Sequence, residues 1–309
     1  MPYTTGSAAD MNAVKTALVN ACVNDGWLNQ TDAGGNTVLS KNGCYVRAIV
    51  GLENKYYSNQ DTLELLGRTS LDSGDSPGVV SMGPLAGAVI VFPVNYHIFT
   101  FINEVFLVIQ YGDKYQFCTF GQCEQPGLPG TGNFIGATLG PRSGIGDSTR
   151  AYVSIKSNDG GYPSGWNTSA ALSWANRREI GDPADNFWLD SGIDSSYPWT
   201  LGNAAYTECP GIKYLTELIE TQPNDYNLES VLMPIRVYKQ RPSSKVSQVG
   251  EIINARHIRI DNYENEQIIT MGTDEWMIFP WYRKNVASRA GGDEVDHTGT
   301  FGWAIKKEN

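Results

Sequence analysis

"EVFLVIQYGDKYQFCTFGQC", residues 104–123, decides how the chain is built. Two runs crowded with Val, Ile, Leu, Phe and Tyr flank Gly112-Asp113, and a glycine at such a break lets the backbone take the positive φ of a two-residue β-turn. The stretch therefore predicts a long, strongly apolar hairpin. A hairpin of that character needs cover: it is either core or a surface meant for another chain.

The nearest cover lies upstream. From Ser7 to about Val23, Met11, Val14, Leu18 and Cys22 recur at spacings of three and four, the period of an amphipathic helix. Ser7 with Asp10 reads as a variant capping box, and Gly26 is placed to supply the left-handed residue after the helix. Between helix and hairpin the signals are β: "NTVLSKNGCYVRAIVGL" with Asn42-Gly43 as a turn, "DTLELLG", and "AGAVIVFPVNYHIFTF". Residues 1–123 are thus expected to form a helix-plus-sheet lobe, with the helix covering the hairpin.

Downstream the regularity fades. Residues 121–149, rich in Gly and Pro, predict no regular element, and residues 158–203 continue in that vein, with "AYVSIKS" as a strand and "ALSWANRRE" as a short helix. This makes 124–230 a loop-rich middle region, and loops of that length are usually functional or ordered by a partner. Residues 231–309 return to β: "SVLMPIRVYKQR", "HIRIDNY", and "EQIITMGTDEWMIFPWYRKN" broken by a hairpin at Met271-Gly272-Thr273-Asp274. The terminal "TFGWAIKKEN" is expected to return beside "WMIFPW", and "RPSSKVSQVG" reads as a polar connection between strands. This C-terminal region has the strands to complete one sheet with the first lobe. The fold class is α+β, predominantly antiparallel β, with an N-terminal amphipathic helix and long Gly/Trp-rich loops.

At 309 residues the chain is of the size at which soluble domains divide, which predicts two lobes. Charged residues make up 18%, below the roughly 25% usual for soluble proteins. The net charge of -10 argues against nucleic acid as a partner, since neutralising phosphates requires clustered Lys and Arg. The pairs Arg177-Arg178 and Lys306-Lys307 are isolated and read as solvated. "MPYTTGSAADMNAVK" lacks the basic and apolar blocks of a secretory signal, and no run approaches the ~20 apolar residues that span a bilayer. A cytosolic, soluble product with no membrane partner is the expectation. The five cysteines, Cys22, Cys44, Cys118, Cys123 and Cys209, are odd in number and irregularly spaced, which suits buried reduced thiols. No second pair or nearby His completes a zinc site with Cys118 and Cys123.

Candidate chemistry is sparse. "GDS" occurs at Gly74-Asp75-Ser76 and Gly146-Asp147-Ser148, a tripeptide that presents the nucleophile in one class of serine hydrolases. Neither copy follows a predicted apolar strand, and "DEVDHTG" places Glu294 three residues before His297, so both read as loop matches. His97 and His257 sit in strand patterns and read as packed residues; His297 stands isolated in a loop. "GTGNFIG" has the wrong glycine spacing for a dinucleotide site and lacks the strand-to-helix context. Asp182, Asp185, Asp190 and Asp194 cluster with Trp188 and Trp199, the raw material of a sugar groove, but read more simply as solvated carboxylates with Trp anchors. No catalytic, metal or cofactor-binding residue is assigned, no cofactor is expected, and no small-molecule substrate is indicated.

Three blocks carry a resemblance. "ALVNACVNDGWLNQTDAGGNTVLSKNGCYVRAIV", "FPVNYHIFTF" with "EVFLVIQYGDKYQFCTFG", and the tail segments "DEWMIFPWYRKN" and "TGTFGWAIKK" together resemble virion structural proteins of tailed bacteriophages. The resemblance implies a structural subunit of the tail or neck, assembled in the host bacterial cytoplasm and residing in the virion. Its partners would be copies of itself and other virion structural proteins, and it would not be an enzyme. Trp166, Trp174, Trp188 and Trp199 are the candidate interface residues, as aromatic anchors in polar loops. A host-surface or sugar-binding module is the alternative. A glycoside hydrolase, which needs two carboxylates about 5 to 10 Å apart, is a second.

Overall fold

The computed structural model describes residues 3–51, 60–68, 70–72, 76–84, 89–124, 133–138, 221–241, 245–289 and 297–308. The chain opens with β1 (Tyr3–Ala8), then α1 (Met11–Asn24), β2 (Leu28–Thr31), β3 (Thr37–Lys41), β4 (Cys44–Gly51), β5 (Thr62–Arg68), β6 (Ser76–Met82), β7 (Val94–Thr100), β8 (Glu104–Tyr111), β9 (Lys114–Gln122) and β10 (Asn133–Ala137). The C-terminal part adds β11 (Met233–Arg241), β12 (Lys245–Arg259), β13 (Ile268–Met271), β14 (Asp274–Pro280) and β15 (Phe301–Lys307). The fold is α+β and mainly antiparallel β. The strands form three five-stranded sheets, ordered β1-β7-β8-β9-β10, β2-β3-β4-β5-β6 and β11-β12-β15-β14-β13.

The opening hairpin is β8–β9, closed by Tyr111↔Lys114 with Gly112 at φ 61. It is core on both faces. Val105, Phe106, Leu107, Val108 and Ile109 are all buried, as they must be in the middle strand of a sheet covered from two sides. On one side Phe120 meets Trp27, just past α1, edge to face at 5.1 Å. On the other, Phe106 and Phe117 meet Trp303 of the third sheet at 5.8 and 4.9 Å, and Trp303 stacks on Trp281 at 4.7 Å. Helix α1 buries Met11, Val14, Leu18, Ala21 and Cys22 in that same core, as its periodicity predicts.

Each turn read from sequence closes a hairpin: Asn42-Gly43 joins β3 to β4, and Gly272-Thr273 joins β13 to β14. The last strand, β15, returns beside β14, with Phe279 opposite Trp303. Along β14 the side chains alternate. Met277 and Phe279 face the shared core, while Trp276 and Ile278 join Ile258, Ile260 and Ala304 in a smaller cluster on the other side. The C-terminal strands hydrogen-bond mainly among themselves; one isolated bridge, Glu124↔Glu251, links them to the segment leaving β9.

Three expectations need correction. Ser7 does not cap α1, because Tyr3–Ala8 is an edge strand on β7 and the Ser7 hydroxyl donates to Val94 O at 3.3 Å. Asp10 is the cap, its carboxylate accepting from Ala13 N at 2.7 Å. Within 121–149 a regular element does survive: Asn133–Ala137 pairs with β9, which offers an open edge to short apolar "NFI". "RPSSKVSQVG" is not merely a connection, since Lys245 onward belongs to β12. Among the described residues no helix is long and apolar enough to cross a membrane.

Candidate functional site

Strand β12 has 15 residues, and only Ala255–Arg259 of them pair with β15. Its other neighbour, β11, pairs along almost the whole length, so Ile235–Arg241 and Lys245–Ile252 form a two-stranded ribbon that continues past the sheet for roughly 20 Å at the usual strand rise. The segment 235–251 holds Arg236, Lys239, Arg241 and Lys245 against a single acid, Glu251, within a chain of net charge -10.

The base of this ribbon is locked by three arrangements. First, the β11 register jumps from Pro234↔Arg256 to Ile235↔Ile252, so residues 253–255 bulge and lose partners on that side. Glu104, at the head of β8, takes up the bulge. Its carboxylate accepts from Ile253 N (2.9 Å), Asn254 N (3.0 Å) and Asn254 Nδ2 (2.8 Å). Burial pushes the Glu104 carboxyl up to about 7, against the opposing pull of those three N–H donors and of Arg256. Second, Gly250 lies under Cys123; a Cβ there would overlap the Cys123 sulfur. Third, Glu124 and Glu251 exchange backbone hydrogen bonds at 2.8 Å each way, and the Glu251 side chain meets Arg236 at 3.1 Å and Arg256 at 3.6 Å.

A second polar cluster clamps the third sheet to the first. Tyr3 Oη lies 2.8 Å from His97 Nδ1, His97 Nε2 lies 3.5 Å from Glu266 Oε2, and Tyr115 donates to Glu266 Oε1 at 2.8 Å. Glu266 holds φ at 63 in the turn before β13. The order hydroxyl, imidazole, carboxylate is that of a nucleophile relay, but burial raises the Tyr3 phenol above its ordinary value and lowers His97 below its own. Both shifts run against forming a phenolate, which such a nucleophile would need. The arrangement works as a clamp.

The other histidines also sit where strand patterns put them or near it. His257 of β12 is buried with neither ring nitrogen hydrogen-bonded, its ring 5.4 Å from that of Trp281, and burial lowers it to about 3. His297, expected to stand isolated in a loop, is buried ahead of β15, and its Nδ1 accepts from Gly299 N at 3.1 Å. Cys22, Cys44, Cys118 and Cys123 are buried free thiols, and burial raises each above the usual thiol range, Cys123 to about 12. Among the described residues no three His, Cys, Asp or Glu are placed to hold a metal.

Ser76 opens β6, whereas Gly74, Asp75 and the second copy at 146–148 lie outside the described residues. So do Trp166, Trp174, Trp188, Trp199, Asp182, Asp185, Asp190, Asp194 and Cys209. Sequence reasoning missed the ribbon and the Glu104 socket. The available signals were a carboxylate heading an otherwise apolar strand and basic residues concentrated in one short stretch of an acidic chain. No protein-family model matches the chain, and no curated protein matches it at a significant level.

Proposed function

We propose that the chain is a structural subunit of a tailed-phage particle, a tail or neck component that works through repeated copies of itself. The observation that carries this reading is the ribbon. A two-stranded hairpin is marginal in water without a third strand or a covering layer, and among the described residues Val237–Arg241 and Lys245–Gly250 pair with each other and have no third strand beside them. Its base is nonetheless held by a buried carboxylate and a close backbone approach. A ribbon that lacks a third strand and stands on a locked base suits a contact between subunits.

The likeness of the N-terminal, hairpin and tail blocks to virion structural proteins points the same way and supplies the kind of particle. In this reading the Gly- and Trp-rich stretches, with Trp166, Trp174, Trp188 and Trp199, add loop contacts between neighbours, and the chain resides in the virion. The test is labelling of intact particles with an antibody against this chain, viewed by negative stain. Label at a fixed point of the tail or neck is the expected result. Particles that stay unlabelled, while the same antibody finds the chain in the infected lysate, would overturn the reading.

A further inference from the structure

The seam where the third sheet meets the first is aromatic, yet it encloses polar atoms that no described residue satisfies. His257 is 1% exposed, and neither of its ring nitrogens has a hydrogen-bond partner. Trp281 Nε1 and Thr119 Oγ1 are likewise buried and unpaired.

These atoms belong to one place in the fold. His257 lies opposite Trp303 in the β12–β15 pairing, its ring is 5.4 Å from that of Trp281, and Trp281 stacks on Trp303 at 4.7 Å. Across the seam, Phe117 of β9 meets Trp281 at 5.3 Å and Trp303 at 4.9 Å. Thr119 is two residues along β9 from Phe117 and so shares its face, and Phe106, which pairs with Thr119, touches Trp303 at 5.8 Å.

The hydrogen-bonding needs of this group are specific. Burial lowers His257 to about 3, so at neutral pH its ring carries one N–H donor and one bare acceptor nitrogen. Trp281 adds a donor, and the Thr119 hydroxyl adds a donor and an acceptor. The phenyl and indole rings around them cannot serve these atoms, and a buried polar group left unserved costs its full desolvation. A lone imidazole beside an indole and a hydroxyl is a poor donor set for a metal. Water both donates and accepts, and a buried water makes about three hydrogen bonds. The two nitrogens of one imidazole point in different directions, so serving both takes two molecules.

We infer that the seam between the first and third sheets is a hydration site, in which an ordered water molecule binds each ring nitrogen of His257 and Trp281 Nε1 and Thr119 Oγ1 share the pair. The inference is independent of the assembly reading. It gives His257 a role beyond packing, as the residue that binds water between two sheets. Waters enclosed in this way exchange with solvent only when the sheets part, so their exchange reports the opening of the seam.

The test is a crystal structure of the full-length chain at a resolution that shows ordered water, together with water-to-protein cross-relaxation NMR on the chain labelled with nitrogen-15 at histidine and tryptophan. The expected result is density for a water within hydrogen-bonding distance of each His257 nitrogen, and cross peaks of the dipolar sign between water and the ring N–H protons of His257 and Trp281. Thr119→Val exchanges the hydroxyl for a methyl and should lose or displace the water next to it, and His257→Phe should lose both. Should His257→Phe fail to fold, Thr119→Val carries the comparison. A wild type in which either His257 nitrogen is dry, or is bonded directly to Thr119 or Trp281, would overturn the inference. So would waters that keep their positions in Thr119→Val.

Discussion

Glu104 and His257 titrate in opposite senses over one pH window. The Glu104 carboxyl is raised to about 7 in the folded chain, so between about 4.5 and 7 the native state holds a proton that the unfolded state has released, and stability from this group falls as pH rises. His257 is lowered to about 3, so between about 3 and 6.5 the unfolded state holds the extra proton and stability falls as pH drops. Each slope is roughly 1.4 kcal/mol per pH unit, and from about pH 4.5 to 6.5 they oppose each other. Removing the carboxyl titration with Glu104→Gln should leave the His257 slope exposed, so that denaturant midpoints fall more steeply on acidification than in wild type. His257→Leu should do the reverse. Equal pH dependence in all three proteins would show that these two groups do not carry it. Gly250 offers a second test: Gly250→Ala places a methyl against the Cys123 sulfur and should cost about 1–3 kcal/mol, partly recovered in Gly250→Ala/Cys123→Ala. A double variant no better than the single one would mean that the contact with Cys123 is not what excludes a side chain at Gly250.

Helix α1 shows what a single chain makes legible. Leu18 is fully buried, and Leu18→Ala should cost about 2–5 kcal/mol in urea unfolding, whereas Asp10→Ala should cost about 0.5–2 through the lost N-cap. A loss below about 0.5 kcal/mol for Leu18→Ala would make the helix peripheral. The helix stripe and the three hairpin turns were readable because local chemistry decides them: the 3.6-residue period, and Asn42-Gly43, Gly112 and Gly272 at turn positions. Strand β1 was not readable. Its "YTTGSA" has no apolar alternation, and its partner β7 begins 86 residues after β1 ends, so only the tertiary pairing Tyr3↔Phe99 to Ala8↔Val94 makes it a strand. Glu104 escaped for a similar reason, since its partners Ile253 and Asn254 are 149 and 150 residues away. The ribbon was half visible. Its first strand showed as "VLMPIRVYKQR", but the start of β12, "KVSQVG", has no apolar run, and its strand character comes from the pairing with β11.

At the scale of the molecule, one core joins the helix to all three sheets. The main cluster runs from α1 through β8 and β9 to Trp281 and Trp303, and takes in Ile235 and Ile252 at the base of the ribbon. Replacing 237–249 with a short turn, which keeps Ile235 and Ile252 in that core, should abolish assembly while the isolated chain still melts cooperatively. A large loss of monomer stability would instead make the ribbon part of the fold. Assembly through repeated copies is tested most directly by carbodiimide cross-linking of a mixture of unlabelled and nitrogen-15-labelled chains, followed by peptide mass spectrometry. Mixed-isotope cross-links that include a ribbon peptide from residues 237–249 are the expected result. Cross-links confined to single copies, or mixed-isotope links that all lie away from the ribbon, would contradict it.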